Sequence, residues 1–339
     1  MTPRDRQLAS IRRQRTDRIS LDCICIEIVP QIAEYLGIEQ GEVLDALGID
    51  GRIIAAGYSG EPGRGPEGQP LNDWATLGPA DYGTAHWSPL ADAETVAEVD
   101  AHPWPDPGAY DYAAVAGLAA EWGERYALRG PYWLPLFCRV CELMGMERAM
   151  VQLAAAPVVF EAALEAVFVR VEEYCRRLLD ACGDALPILC LGDDFATQRG
   201  LMISPDDWRR TLKPRFARLF EVGKSRGKLV WFHSCGDVTP ILRDLIEIGV
   251  DVWETVQLQT LPMSAQELKR EFGRDLTFFG GVSTQRLPFI TPGEVREEVR
   301  RCIATLGEGG GYVCGPDHHI KPDVPVENAV ALFEEARGC

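Results

Sequence analysis

The sequence lacks any apolar run long enough to cross a lipid bilayer. Its longest apolar stretches, such as Leu153–Phe160, fall well short of the roughly 20 residues that a transmembrane helix needs. The first residues, Met1–Arg6, contain no apolar segment of the kind found in a secretory signal. We therefore expect a cytoplasmic protein without a membrane association, whose 11 cysteines are reduced thiols rather than disulfides.

Positive charge is also in short supply. The chain has 34 Lys and Arg residues against 51 Asp and Glu residues, a formal net charge of -17 at pH 7. Because an acidic chain repels phosphate backbones, a nucleic-acid partner is not expected. No Gly-x-Gly-x-x-Gly follows the first predicted strand, and no Gly-x-x-x-x-Gly-Lys-Ser/Thr occurs. These absences argue against a dinucleotide-binding or P-loop enzyme.

The sequence does contain a regular alternation of strands and helices from about residue 110 onwards. Short β-like runs lie at Leu186–Leu191, Leu229–Phe232, Val250–Val256, Leu276–Phe279 and Gly311–Val313. Helices separate them and are predicted at about Pro205–Arg226, Ala265–Phe272 and Pro292–Leu306, with an earlier one at Val29–Leu36. Such alternation predicts a parallel sheet with right-handed crossovers. Arg18–Ile28 and the run before Leu136 bring the total to about seven strands, which favours a closed (β/α)8 TIM barrel over an open sheet.

We expect the barrel to form one domain over residues 1–339. Residues 1–110 are predicted to be an N-terminal α/β extension with an excursion, because Gly and Pro are dense at 57–110 and aromatic residues are interspersed there. Residues 111–339 are predicted to supply the regular β/α units. A hydrophobic content of 46% is ordinary for a globular protein with a large core.

Polar and ligating side chains follow nearly every predicted strand. These strand exits are Gly192–Asp194, His233–Asp237, Gln257, Gly280–Gln285 and Cys314–His319. In a (β/α)8 barrel the catalytic residues lie at the carboxyl ends of the strands. We therefore predict an active site at this mouth of the barrel, rather than a set of loop residues that merely satisfy one another.

His233, Cys235 and Cys314 form the sharpest combination among these residues. Side chains two apart on a strand point to the same face, so His233 and Cys235 are expected to lie together. The final strand of a closed barrel can bring Cys314 to the same mouth. One imidazole and two thiolates would make a zinc site with an open fourth position, the catalytic arrangement. The alternative is that His233 orients a loop and both cysteines are simply packed.

Three carboxylates are further candidates for catalysis. Asp193 and Asp194 follow a strand and can act as acid and base or hold a ligand histidine, although one of them could instead cap the next helix. Glu142 lies in an otherwise apolar helical stretch. It is expected either to face the barrel mouth, to be buried with a partner, or to be solvated.

These motifs together resemble the uroporphyrinogen decarboxylase superfamily over most of the chain. The similar segments are Phe232–Val238, Glu247–Asp251, Gly280–Gln285, Gly192–Asp194 with Ile203–Pro205, and Gly310–Tyr312 with Pro325–Asn328. Pro89–Asp92 followed by Pro103–Pro105 is typical of a decarboxylase-like branch. The resemblance implies a (β/α)8 barrel with an N-terminal extension.

The superfamily includes two chemistries. True decarboxylases remove carboxyl groups from a porphyrinogen without a cofactor, and grip its carboxylates with an N-terminal Met-Arg-Gln-Ala-Gly-Arg motif. That motif is missing here, and the corresponding Leu21–Tyr35 contains no arginine. The other branch consists of zinc-dependent methyltransferases that use corrinoids and bind zinc through His-x-Cys and a distant Cys. The resemblance maps those ligands onto His233, Cys235 and Cys314.

The resemblance therefore implies a methyltransferase that moves a methyl group from a methylated corrinoid (cobalamin), carried on a partner protein, to a thiol or similar acceptor. Gln257, Gln285 and His318 are expected to bind the substrate, with Asp194 helping to orient it. The alternatives are a cofactor-free decarboxylase of a carboxylate-rich substrate and a non-catalytic corrinoid- or tetrapyrrole-binding protein. A homodimer is common in the superfamily and is possible here.

Overall fold

The computed structural model describes residues 1–61, 63–77, 87–155 and 157–339. Its central feature is an eight-stranded sheet in which every neighbouring pair is parallel. In chain order the strands are β1 (Ser20–Leu21), β2 (Gly51–Ile53), β3 (Ala127–Pro131), β4 (Ile188–Gly192), β5 (Leu229–His233), β6 (Val252–Val256), β7 (Thr277–Val282) and β8 (Tyr312–Pro316).

The sheet curls round until its two end strands meet. The strand order is β1-β8-β7-β6-β5-β4-β3-β2, so β1 and β2 form the edges. Asp50, just before β2, donates its backbone N–H to the carbonyl oxygen of Leu21 at 2.8 Å. The Asp50 carboxylate also accepts the N–H of Leu21 at 3.0 Å. The predicted (β/α)8 barrel is confirmed, and this seam closes it.

Helices surround the barrel and connect its strands. They are Pro3–Ile11, Val29–Leu36, Val43–Ala46, Val96–Asp100, Tyr112–Trp122, Phe137–Met144, Met146–Ala155, Val158–Cys182, Pro205–Asp207, Lys213–Lys224, Leu242–Glu247, Ala265–Phe272, Pro292–Leu306 and Val326–Gly338. A π-helical segment, Trp208–Leu212, and a small antiparallel hairpin, Ala196–Thr197 with Gly200–Leu201, complete the regular structure together with short 3₁₀ turns.

The barrel interior is filled by side chains from alternate strand positions, as the two-residue period of a strand requires. Its apolar part includes Ala127, Ile188, Trp231, Val252, Phe279 and Val313. The helix Pro3–Ile11 closes one end, where Ser10 donates its hydroxyl to the carbonyl of Tyr312 at 2.7 Å. Tyr312 begins β8, so this is the end formed by the strand N-termini, and the opposite end is left as the mouth.

Three elements differ from the predictions. β2 has only three residues, too few to show a periodic pattern, and was not predicted. The strand predicted at Arg18–Ile28 is reduced to two residues plus an isolated parallel bridge between Ile26 and Ile320. The helix predicted over residues 205–226 is interrupted by the π-helical segment, which ends beside Pro214, a residue with no N–H to continue the ladder.

The excursion at 57–110 consists mainly of loops and turns where it is described. Two isolated antiparallel bridges, Tyr58 with Tyr110 and Arg64 with Pro70, tie it together. Residues 62 and 78–86 of this predicted excursion lie outside the described residues. Among the described residues no single helix has the length and apolar character of a membrane span, and one sharply bent pair, at 146–155 and 158–185, meets that test only when joined.

Candidate active site

Three potential metal ligands meet at the mouth of the barrel. His233 ends β5, Cys235 follows two residues later, and His318 lies in the loop after β8. One side-chain donor atom from each residue lies within 4.8 Å of those of the other two. The Cys235 sulfur is 3.4 Å from Nε2 of His233, and the two imidazole centroids are 5.9 Å apart. We call these three residues the ligand cluster.

The ligand cluster fits a zinc ion in both chemistry and spacing. Nitrogen and sulfur ligands of one tetrahedral zinc ion lie about 3.5 Å apart, given the usual Zn–N and Zn–S bond lengths. The observed 3.4 Å between His233 and Cys235 agrees with that separation. Burial, together with nearby His233, lowers the pKa of His318 to about 3, so its imidazole is in the neutral form that binds metals.

A buried carboxylate fixes the orientation of His233. Nδ1 of His233 lies 2.7 Å from Oε1 of Glu254, a fully buried residue of β6. Since the Nδ1 hydrogen is donated to Glu254, Nε2 is left to face the ligand cluster. Burial lowers the pKa of His233, but Cys235 and Glu254 outweigh it and raise that pKa well above its ordinary value. A metal ion would therefore displace a proton when it binds.

Further charges lie behind Glu254 in the barrel interior. Arg129 of β3 is completely buried, with Nη1 3.6 Å from Oε2 of Glu254 and Nη2 3.1 Å from Oδ1 of Asp22. The indole N–H of Trp231 also donates to Glu254. Burial would raise the pKa of Glu254, but Arg129 and His233 hold it below its usual value. The carboxylate beneath His233 is therefore ionised and fully partnered.

Aromatic rings wall one side of the ligand cluster. The Trp133 ring meets the His233 ring edge-on, with centroids 5.4 Å apart, and Tyr132 lies at 5.8 Å. Gly192 permits this contact. A Cβ at that position would stand 2.8 Å from the Trp133 ring and 3.0 Å from Cβ of His233. The glycine in the Gly192–Asp194 motif thus allows Trp133 to pack against the candidate ligand.

Asp194 is the predicted carboxylate that reaches the ligand cluster. Its Oδ1 accepts the backbone N–H of Cys235 at 2.7 Å and lies 3.8 Å from Nε2 of His233. Its side chain is 20% exposed, so it borders both the cluster and the solvent-filled mouth. Asp194 can position the Cys235 loop and can also exchange a proton with a molecule bound beside His233.

The structure does not bring Cys314 to the ligand cluster, which corrects the ligand set predicted from the sequence. Cys314 is completely buried in the part of the core that faces the helices, whereas its neighbour Val313 belongs to the barrel interior. Because adjacent strand residues point to opposite faces, Cys314 points outward, where Tyr312 and Cys302 are its neighbours. The third potential ligand is His318, which was predicted to bind substrate.

The other two predicted catalytic carboxylates are also engaged elsewhere. Asp193 is fully buried, and its two oxygens accept the backbone N–H groups of Leu136, Phe137 and Cys138 at 2.6 to 2.9 Å. Burial raises its pKa to about 7, against the hydrogen bonds from Cys138 and Phe137, which lower it. Asp193 therefore anchors the start of the helix Phe137–Met144, the capping alternative, although it caps an earlier helix than the one anticipated.

Glu142 pairs with Arg139 on the helix Phe137–Met144. The Arg139 guanidinium lies 2.5 Å from Oε2 of Glu142, and both side chains are largely buried. Burial raises the pKa of Glu142, and Arg139 lowers it. Glu142 is thus buried with a partner, one of the three alternatives considered, and it lies outside the ligand cluster.

The predicted substrate-binding residues share one cavity. Gln257, Gln285 and His318 line a space of about 250 Å³ together with His319 and Lys321. Oε1 of Gln257 accepts the backbone N–H of Gly236 at 3.0 Å, which ties this wall to the Cys235 loop. Since His318 belongs both to this cavity and to the ligand cluster, a molecule in the cavity would contact the cluster directly.

Sequence reasoning missed Glu254, Arg129 and Trp133. A signal existed for the first two, because each is a charged residue inside an apolar strand that forms part of a closed barrel. An unpaired charge there would be very costly, so a charged residue in such a strand indicates a partner. Trp133 follows β3 and carried no comparable signal.

Comparison with known proteins agrees with this architecture. The family model named uroporphyrinogen decarboxylase (URO-D) matches residues 85–339. Among curated proteins, the uroporphyrinogen decarboxylase of Thermus thermophilus is 27% identical over 198 residues, covering 58% of this chain and 51% of that protein. The enzyme of the same name from Actinobacillus succinogenes is 37% identical over 81 residues, covering 24% of this chain and 20% of that protein.

The matches to those curated relatives span about half of their length or less. Among solved structures, a methyltransferase from Methanosarcina mazei superposes with a TM-score of 0.65 and 19% sequence identity, covering 99% of this chain and 98% of that chain. At this identity the likeness supports the fold. The comparisons therefore include both decarboxylases and a methyltransferase.

Proposed function

The chain belongs to the uroporphyrinogen decarboxylase family, and within that family we propose that it is a zinc-dependent methyltransferase. The methyl donor would be a methylated corrinoid carried by a partner protein, and the acceptor a small thiol. Reduced thiols are abundant in the cytoplasm, which is the compartment we propose. We further propose that residues 1–339 act as one domain.

The observation that carries this proposal is the ligand cluster with Glu254 behind it. His233, Cys235 and His318 offer two nitrogen donors and one sulfur donor within 4.8 Å. A carboxylate that holds the remote nitrogen of a ligand histidine is the usual second layer of a zinc site. Three protein ligands leave a fourth position for the acceptor, as in catalytic zinc sites.

The residues around the cluster have distinct tasks in the proposed reaction. When bound, zinc supplies a Lewis acid that favours the thiolate form of an acceptor thiol. We assign Asp194 to take the proton that this thiol releases, since its Oδ1 lies 3.8 Å from Nε2 of His233. Glu254 keeps Nδ1 of His233 protonated, and Gln257 and Gln285 hold the acceptor in the cavity that they line.

Methyl transfer balances as a nucleophilic displacement on the donor substrate. The acceptor sulfur forms a bond to the methyl carbon with its own electron pair. The carbon–cobalt bond breaks, and both electrons stay with the corrinoid, whose cobalt falls from Co(III) to Co(I). The product is a methyl thioether. Trp133 and Tyr132, packed beside His233, restrict the access of water to the reacting sulfur.

The names of the curated relatives favour a second candidate, a cofactor-free decarboxylase. Such an enzyme must bind several carboxylates, for which free arginines are the natural partners. Arg129 is buried and shared between Asp22 and Glu254, and Arg139 is paired with Glu142. These pairings weigh against decarboxylation of a carboxylate-rich substrate.

One experiment separates the two candidates. The purified protein is incubated with methylcobalamin and a panel of thiols, and demethylation is followed by absorbance. In parallel, carbon dioxide release from uroporphyrinogen is measured. We expect thiol-dependent demethylation that a zinc chelator abolishes and added zinc restores. Carbon dioxide release without thiol-dependent demethylation would instead support the decarboxylase.

A further inference from the structure

A second cavity lies beside the ligand cluster, on the far side of Trp133. It measures about 320 Å³, within the usual range of small-molecule sites. Five aromatic side chains and one carboxylate contribute to its wall: Tyr58, Asp73, Trp74, Tyr110, Trp133 and Tyr174. Trp133 also contacts His233, so its ring borders both the cavity and the ligand cluster.

Two of the three tyrosines of this cavity, Tyr110 and Tyr174, use their hydroxyl groups within the protein. Tyr174 donates its hydroxyl to the carbonyl of Ala56 at 3.0 Å and accepts the N–H of the same residue at 2.7 Å. Tyr110 donates its hydroxyl to Asp73. The wall therefore presents aromatic rings to a ligand together with the polar groups of Asp73 and Arg139.

The charges in the wall leave one carboxylate without a cation. Arg139 also lines the cavity, but its guanidinium is paired with Glu142 and lies 5.0 Å from the centroid of the Trp74 ring. Asp73 accepts from Tyr110, and no Lys, Arg or His of the described chain forms an ion pair with it. Since Arg139 and Glu142 balance each other, Asp73 is the charged group in the described wall that has no ion-pair partner.

Aromatic rings around a single unpaired carboxylate favour a positively charged organic ligand. The face of each ring attracts a cation electrostatically, and such cages recognise quaternary ammonium groups in particular. A bulky ammonium is weakly hydrated and packs against aromatic rings, and the carboxylate balances its charge. We propose that this cavity binds an organic ammonium ion of the size of choline, with Asp73 as its counter-ion.

This site is independent of the zinc-dependent function proposed above. None of the ligand cluster residues lines the cavity, and Asp73, the proposed counter-ion, does not belong to the ligand cluster. Metal content and ammonium binding are measured separately, so the failure of one proposal is distinguishable from the failure of the other.

The test compares a cation with a neutral molecule of the same shape. Choline and 3,3-dimethylbutan-1-ol differ in replacing a quaternary nitrogen by carbon, and each is titrated into the purified protein by isothermal calorimetry. We expect choline to bind at a single site at least about tenfold more tightly than the alcohol. Equal affinities, tighter binding of the alcohol, or no binding of choline would overturn the proposal.

Two variants locate the binding site. In Asp73→Asn the choline affinity should fall about tenfold while that of the alcohol stays unchanged, because only the charge is removed. Asp206→Asn is the control, since Asp206 has a side chain that is 93% exposed. Tyr58→Leu should also weaken choline binding, and serves if Asp73→Asn fails to fold. Choline affinity that survives in the folded variants would contradict this location.

Discussion

A histidine can bind a metal only through a nitrogen that carries no proton, so the position of its proton matters. In this structure Nδ1 of His233 faces Glu254 at 2.7 Å, and Glu254 is itself held by Trp231 and Arg129. The buried charges of the barrel interior therefore act on the ligand cluster through one hydrogen bond. Glu254 is a positioning residue, since it touches the ligand and not the substrate.

We predict that Glu254→Gln lowers zinc affinity about 10- to 100-fold, the usual effect of losing such a carboxylate. The amide keeps the shape but no longer carries the charge that favours the Nδ1–H tautomer. The measurement is competition for zinc against a chromophoric chelator. Glu142→Gln is the matched control, because Glu142 is also largely buried and paired with an arginine but lies outside the ligand cluster. Equal zinc affinity in both variants would show that Glu254 does not act on the metal.

For single residues, the sequence predicted some positions in the site correctly and others wrongly. His233 and Cys235 were brought together correctly because their spacing of two sets a common face. The same rule, applied to β8, puts Cys314 on the face opposite to Val313. β8 is only five residues long, so its sequence does not show which of these two faces lies inside the barrel. His318 lies in an irregular loop beyond that strand. No periodic pattern states where a loop side chain points, so its approach to Cys235 could be found only in three dimensions.

At the scale of helices and strands, the stability of an element can depend on one buried polar side chain. Asp193 lies at the exit of β4 and holds the three N–H groups that begin the helix Phe137–Met144. We predict that Asp193→Ala lowers the free energy of unfolding by about 3 kcal/mol, since three buried N–H donors lose their acceptor. Chemical denaturation measures this loss.

The neighbouring Asp194 differs from Asp193 in its exposure and in its number of hydrogen bonds. Its side chain is partly exposed and accepts one N–H, from Cys235. Asp194→Ala should therefore cost about 1 kcal/mol of stability but reduce the rate of thiol-dependent demethylation. An Asp194→Ala protein with full activity would remove this residue from the proposed mechanism.

His102, which is buried in the excursion at 57–110, makes the stability of the fold depend on pH. Its Nε2 lies 3.1 Å from the carbonyl of Trp74, its ring packs against Trp104, and it is 8% exposed. Burial, together with Arg170, lowers its pKa below the ordinary 6.5. The unfolded chain therefore binds a proton more readily than the folded one, so stability falls as pH drops below about 6.5.

We predict that His102→Gln reduces the dependence of the unfolding free energy on pH in that range. The measurement is denaturant unfolding of both proteins at several pH values between neutrality and the ordinary pKa of carboxylates. Identical pH profiles for the two proteins would mean that another group causes the loss.

For helices and strands, the length of an element decided whether the sequence could predict it. The helices Val29–Leu36, Ala265–Phe272 and Pro292–Leu306 were predicted at their observed bounds because each shows a period of 3.6 between clear stop signals. β2 is too short for any pattern. Its place in the barrel comes from its pairing with β3 and from the Asp50 seam, which are long-range contacts.

At the scale of the whole molecule, the barrel is closed at the seam between β1 and β2, where the buried carboxylate of Asp50 lies. Asp50 is inaccessible to solvent and accepts from Leu21 N–H at 3.0 Å, from Arg6 at 2.6 Å and from Arg18 at 2.9 Å. We predict that Asp50→Ala lowers the free energy of unfolding by about 3 to 5 kcal/mol, because two arginines lose their buried partner.

The control for this prediction is Asp180→Ala, which removes an exposed ion pair with Arg226 and should cost less than about 1 kcal/mol. Both losses are measured by urea unfolding. A small effect at Asp50 would mean that the seam is held mainly by packing. The closed barrel was predicted from the alternation of elements, whereas this seam depends on residues far apart in the chain and was not.

The central claim is that the mouth of this barrel holds zinc through His233, Cys235 and His318. The most direct measurement is the zinc content per chain of three purified proteins, determined by mass spectrometry after dialysis against metal-free buffer. We predict one zinc ion per chain in the unaltered protein and in Cys314→Ser, and almost none in His318→Ala. Zinc that is retained in His318→Ala and lost in Cys314→Ser would contradict the ligand cluster, and a protein that binds no zinc would contradict the proposed function as well.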